Sequence, residues 1–167
     1  MKKFLKYTGV CSLLLAVVAF ILMMATNAIG VGSGNLQLVT KGTVAIFGAS
    51  EDTILGPVKT NPSVLALIGW ILLLVGLVIV LLGVILPLLK VKALENIAGI
   101  LNLVAVICFI LAGVFMFCVV PTFAAANDWG STDNAAIGAG WVIGGILSIV
   151  AGVVAILPAI ANFLGKK

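Results

Sequence analysis

The chain has 167 residues, of which 63% are hydrophobic and 8% charged, with a mean hydropathy of +1.40. A soluble domain carries about a quarter charged residues, so this balance excludes a soluble globular protein, a disordered chain and a nucleic-acid binder. Histidine and arginine are absent, which removes the usual general base, the commonest metal ligand and the bidentate phosphate clamp. What remains is one integral membrane domain, residues 1–167, of the all-α class: a left-handed bundle of four membrane-spanning helices with a small outer β-hairpin.

The first apolar run predicts a helix over about 8–29. Its basic start (Lys2, Lys3, Lys6) and the Thr26-Asn27-Ala28 step resemble a cleaved leader, but the apolar stretch is long for one, and a retained helix is expected. Gly9, Ser12, Ala16, Ala19, Met23 and Thr26 recur at spacings of three and four and mark its packing face. The first outer loop, 30–62, opens with a flexible glycine stretch. Asn35–Thr40 and Thr43–Phe47 then read as two strands about a Lys41-Gly42 turn, and 48–62 reads as irregular, broken by Pro57 and Pro62.

The second helix is expected over 63–89, with Gly69, Gly76 and Gly83 seven apart. The third is expected over 97–121, with Ala98, Ala105 and Ala112 in the same period. A seven-residue repeat keeps one seam against a neighbouring helix in a left-handed crossing. The short second outer loop, 122–135, is polar. Glu51, Asp52, Asp128 and Asp133 are candidates for converging on calcium, but the oxygen spacing lacks the terminal glutamate of a calcium loop, and solvated charge is the expectation. The fourth helix, 136–164, repeats small residues at Gly138, Gly145, Ser148, Gly152, Ala155 and Ala159, with Trp141 in the same rhythm. A second small face, Gly140, Gly144, Ser148 and Gly152, packs inside the bundle or takes another subunit; the first is expected.

Ser12, Asn102 and Asn162 all fall toward the cytoplasmic ends of their helices and are expected to form one polar cluster, as interhelical glue or as a polar vestibule. Trp70, Trp129 and Trp141 lie near outer helix ends and read as interface anchors. The three cysteines, all within spans, read as small hydrophobes rather than disulfide partners. Lys2, Lys3, Lys6, Lys90, Lys92, Lys166 and Lys167 share one side with Glu95, while Lys41 and Lys59 share the other with the four remaining acids. The positive-inside rule therefore puts both termini in the cytoplasm and the chain in the cell membrane.

Gly69-Trp70 and Ile85-Leu86-Pro87 recur as Gly140-Trp141 and Ile156-Leu157-Pro158, both 71 residues later. Helices one and three match at an offset of 89, from Ala16–Leu22 to Ala105–Leu111. The chain thus reads as two tandem helical hairpins, whose parallel repeats share an axis along the membrane normal.

The plan of inner termini, a large β-prone first outer loop, a short inner turn and a smaller second outer loop resembles the claudin and peripheral-myelin-protein group. The resemblance is one of topology. The loop from Ala28 to Pro62 has no tryptophan or cysteine, so that group's loop motif and cysteine pair have no counterpart and no functional residue is carried over. It implies an adhesive role by analogy.

No span carries an acid or lysine that would relay ions, and no nucleophile stands beside a base. The expectation is a non-catalytic structural, accessory or self-assembling subunit, with no cofactor and no bound metal. Its partners are membrane lipid and itself or another membrane protein. The alternative is an oligomeric pore or small-solute channel, with the path between subunits because glycine seams close each bundle.

Overall fold

The computed structural model describes residues 2–32, 38–53, 56–86 and 92–164. The protein is an all-α, four-helix membrane protein. Its long helices are α1 (Lys2–Ala25), α3 (Val64–Ile85), α4 (Lys92–Phe117) and α6 (Ala139–Leu164), and each contains an apolar segment of 19 to 22 residues. At 1.5 Å per residue these segments are about 28–33 Å long, the thickness of a hydrocarbon core. Side-chain placement is inverted relative to a soluble bundle. Leu14, Val18, Ile21, Leu74, Val78, Ile107, Val114, Ile143 and Val153 point outward, while Ala16, Ala19, Ala105, Ala112, Ala151 and Ala155 are buried. Such a continuous aliphatic exterior suits lipid and would not stay dispersed in water.

The four helices run antiparallel to their neighbours in the cyclic order α1, α3, α4, α6. The α4–α6 interface is the most extensive and α1–α3 the thinnest.

Shorter elements cap one end. They are β1 (Asn27–Val31), β2 (Leu38–Lys41), α2 (Gly42–Phe47), β3 (Ala49–Thr53), β4 (Gly56–Thr60), α5 (Val119–Ala126) and β5 (Ala135–Ile137). β2, β1 and β5 form an antiparallel sheet in that order, with Gly30 opposite both Val39 and Ala136; β3 and β4 form a separate antiparallel pair.

The expected strand pairing is therefore corrected. Leu38–Lys41 pairs with Asn27–Val31, not with Thr43–Phe47, which is helical. The cause is Gly42. Its N–H donates to the Thr26 carbonyl at 2.8 Å, and a side chain there would strike the Met23 carbonyl and the Trp141 indole. Pinned in this way, the chain cannot turn back as a hairpin. Ala45 and Ile46 bury instead, and Gly48, at φ +76°, ends the helix. The stretch expected to be irregular holds β3 and β4.

Helix bounds also differ from expectation: α1 and α4 begin earlier, at Lys2 and Lys92 rather than 8 and 97, and three bounds differ at the capped end. The first helix stops at Ala25, not 29, because the Thr26 hydroxyl bonds back to the Leu22 carbonyl at 2.6 Å and Asn27 opens β1. The third breaks at Cys118, since Pro121 lacks an N–H and its ring would crowd the carbonyl of Phe117. The chain resumes as α5, with Pro121 in a first turn that needs no internal donor, and so occupies part of the expected second loop. The fourth begins at Ala139, the preceding Ala135–Ile137 having joined the sheet.

Candidate functional site

Two regions of this fold were candidates for function: the helix seams and the sheet-capped end. The seams consist of antiparallel contacts that step by about seven residues. Along α3, a side chain added to Gly69 would lie 3.3 Å from Phe115, one on Gly76 would lie 2.6 Å from the Phe109 ring, and one on Gly83 would strike the Asn102 amide. All three glycines thus face α4. On the neighbouring seam, Gly145 lies against Gly113 and Phe117, and Gly152 against Ile110 and the Val106 carbonyl. Ser148 donates to the Phe109 carbonyl at 2.8 Å. Gly113, which carries no role in the sequence pattern, also lies on this seam: a side chain there would sit 2.6 Å from Ile149 and 2.7 Å from the Gly145 carbonyl.

Gly140 meets Thr26, just past the end of α1, and Gly144 sits between Met116 of α4 and the Ala19 carbonyl of α1. The second small face of the last helix thus packs inside the bundle. Ala16 is fully buried, and Gly9 is buried against Val84.

The polar cluster does not form as expected. Ser12 donates to the Ala151 carbonyl at 2.8 Å, on α6, while Asn102 lies against Gly83, on α3. Among the described residues no hydrogen bond joins Ser12 to Asn102, and the Asn162 side chain lies outside the described residues. Two different neighbours claim these side chains because they sit on different seams.

Trp141 also departs from expectation. It is not an interface anchor but is fully buried, its indole N–H donating to the Met23 carbonyl at 3.1 Å. An α-helix leaves its last carbonyls without internal partners. Here Trp141 takes the Met23 carbonyl, Gly42 takes that of Thr26, and the Thr26 hydroxyl takes that of Leu22. The end of α1 is thus satisfied by α6 and α2. The signal for this was present in sequence, since Trp141 falls in the small-residue rhythm of Gly138, Gly145 and Ser148.

Trp70 and Trp129 are half-buried. Trp70 packs against Phe20 and edge-on against Phe47, and Trp129 edge-on against Phe123. The Trp70 indole nitrogen is buried and, among the described residues, is the one buried side-chain nitrogen or oxygen with no partner.

Elsewhere the capped end is tied together by amides and hydroxyls. Asn61 and Asn127 form a reciprocal clamp: the Asn127 side-chain oxygen accepts from the Asn61 N–H at 2.7 Å, and its amide donates to the Asn61 carbonyl at 3.0 Å. Asn61 also donates to the Ala126 carbonyl at 2.9 Å. Ser63 caps α3 by accepting from the Ala66 N–H, and shares a 2.6 Å hydrogen bond with Thr122. β1 is buried at Ala28 and Ile29 and hydrogen-bonded on both edges, so the two chain segments leaving α1 and approaching α6 form one sheet.

Beside that sheet lies a cavity of about 410 Å³, lined by Thr26, Asn27, Gly30, Asn134, Gly138 and Gly140 among others, with no charged side chain in its wall. Lys41, Lys59, Glu51, Asp128 and Asp133 are exposed. Among the described residues no three His, Cys, Asp or Glu side chains gather closely enough to hold a metal ion. The three cysteines are unpaired; Cys108 is buried, but Cys11 is exposed on the outer face of α1 and Cys118 is intermediate, so only one is the buried small hydrophobe expected.

No protein-family model matches the chain, and no curated protein matches it.

Proposed function

We propose that this chain is a non-catalytic structural or accessory subunit of the cell membrane. In this reading its sheet-capped end is outside the cell and is the surface that meets a partner. The observation that carries the reading is the contrast between the two regions above. Inside the bundle, the small-residue faces and the Ser12 and Ser148 hydroxyls are already engaged with neighbouring helices. At the capped end, strands from separate loops are locked into a fixed platform, yet Val39 on the edge strand β2 and Val58 on β4 are each 54% exposed. A sheet edge with exposed β-branched residues is a ready surface for a protein partner.

Orientation rests on the lysine asymmetry. With cysteines placed singly on intact cells, Lys41→Cys should react with an impermeant thiol reagent and Lys90→Cys should not. The opposite pattern would put the platform inside.

The deciding experiment is native mass spectrometry and electron microscopy of the assembly extracted in mild detergent. A larger bound subunit, lost on Val39→Lys with Val58→Lys, supports the reading. A ring of copies with a central opening replaces it with the pore, and a bare monomer removes both.

A further inference from the structure

An apolar groove of about 300 Å³ runs between α1 and α3, lined by Leu13, Val17, Leu77, Val78 and Leu81. It has no polar lining, and it lies within the membrane-spanning segments Tyr7–Ala25 and Val64–Ile85. We propose that this groove is a binding slot for one acyl chain of a membrane lipid. The inference goes beyond the accessory role and does not depend on it.

Offsets of 71 and 89 residues carry Gly69 onto Gly140 and Thr26 onto Phe115. The contacts correspond: Gly69 lies against Phe115, and Gly140 against Thr26. The seam between α3 and α4 is thus the counterpart of that between α6 and α1. By the same offsets, the α1–α3 pair is the counterpart of α4–α6, and there the two halves part. In α6, Ser148 and Gly152 bring the backbone onto the Phe109 and Val106 carbonyls of α4. At the equivalent positions α3 carries Leu77 and Leu81. Leucine where its counterpart has serine or glycine keeps the helices apart, and the groove is the space left over.

The occupant follows from the lining. A second helix docks in lipid through small residues that let backbones approach, and none of the five lining residues is small. The slot runs from Leu13 to Val17 and from Leu77 to Leu81, about 6 Å of rise on each helix, whereas a stable protein interface takes roughly 20–30 residues a side. A stretch of one thin flexible hydrocarbon chain fits such a slot, and water, which needs polar partners, does not.

The test uses the full chain reconstituted in phosphatidylcholine vesicles, with a small fraction of phosphatidylcholine carrying a diazirine in its acyl chain. After irradiation, adducts are mapped by mass spectrometry. The expected result is labelling at the five groove residues several-fold above the outward-facing Ile107, Val114, Ile143 and Val153. Val17→Phe, which fills the slot, should bring groove labelling down to the level of those outer faces. The pair Leu77→Ser with Leu81→Gly, which lets the helices close, should do the same. Even labelling over all outer faces, or a groove excess that survives Val17→Phe, overturns the proposal. So does efficient oxidative cross-linking of two copies through Leu81→Cys, which would seat a second chain there.

Discussion

Trp70 and Trp141 both lie near the capped end of their helices, each preceded by glycine, and yet they should respond oppositely to the same substitution. Trp141→Phe removes the indole N–H that serves the Met23 carbonyl at 3.1 Å, in a fully buried site. A buried acceptor left without its donor costs about 1–3 kcal/mol. The smaller ring leaves a void beside Gly42 that adds on the order of 1 kcal/mol, well below a full truncation to alanine. The expected loss is therefore about 2–4 kcal/mol. Trp70→Phe removes an N–H that is buried with no partner among the described residues. Its desolvation penalty disappears with it, offsetting the packing lost against Phe20 and Phe47, and the net change should lie within about 1 kcal/mol of zero. Unfolding in mixed micelles can be followed by the reactivity of buried Cys108, in a Cys11→Ser, Cys118→Ser background that leaves one thiol to label. Equal losses, or a larger loss for Trp70→Phe, would refute the assignment of Trp141 as the partner of the α1 terminus.

Other substitutions probe the seams and the clamp. Gly113→Ala places a methyl group 2.6 Å from Ile149 and 2.7 Å from the Gly145 carbonyl, which backbone cannot easily yield, so it should cost about 1–3 kcal/mol in the same unfolding assay. Gly145→Leu should cost at least as much, while its exposed neighbour Ile146→Ala should change stability by no more than about 0.5 kcal/mol, because lipid fills the gap. Asn127→Ala breaks the clamp to Asn61 and should speed proteolytic cutting between β3 and β4 while leaving the long helices protected; unchanged cutting would show that the clamp does not hold the loop.

The seams were legible in sequence because their signal is one of size and period. Gly69, Gly76 and Gly83 fall on one side of a helix whatever surrounds it, and in lipid the small side is the packed side. Gly113 is not legible in this way because it stands beside Ala112, which carries the seven-residue period. Adjacent positions on α4 serve different neighbours: the Ala112 carbonyl lies against Gly69 of α3, and Gly113 faces α6. Trp141 was misplaced because the aromatic-belt rule reads depth in the membrane and not direction around the helix. The capping elements were the least legible. Thr43–Phe47 has the composition of a strand but is helical, since Gly42 is anchored to Thr26, sixteen positions away, and such a tertiary anchor overrides local preference in so short a segment.

The same distinction explains why the two helical pairs differ. Where serine and glycine occupy the facing positions, as at Ser148, Gly152 and Gly113, backbone meets backbone and a hydroxyl can reach across to a carbonyl. Where leucine and valine occupy them, as at Leu77, Leu81 and Val17, side chains meet first and the contact is the thinnest of the four. Association in lipid draws on packing and interhelical hydrogen bonds rather than on escape from water, so the first kind of contact holds α4 and α6 together strongly and the second holds α1 and α3 weakly. The capped end compensates at that weak pair. Met23 and Thr26 at the end of α1 are tied to Trp141 and Gly42, the Ser63 N–H at the start of α3 bonds to the Ala45 carbonyl of α2 at 2.8 Å, and α2 thereby links the two helices that the membrane segment leaves ajar. Loosening α2 should therefore open α1 from α3 before it disturbs the α4–α6 pair.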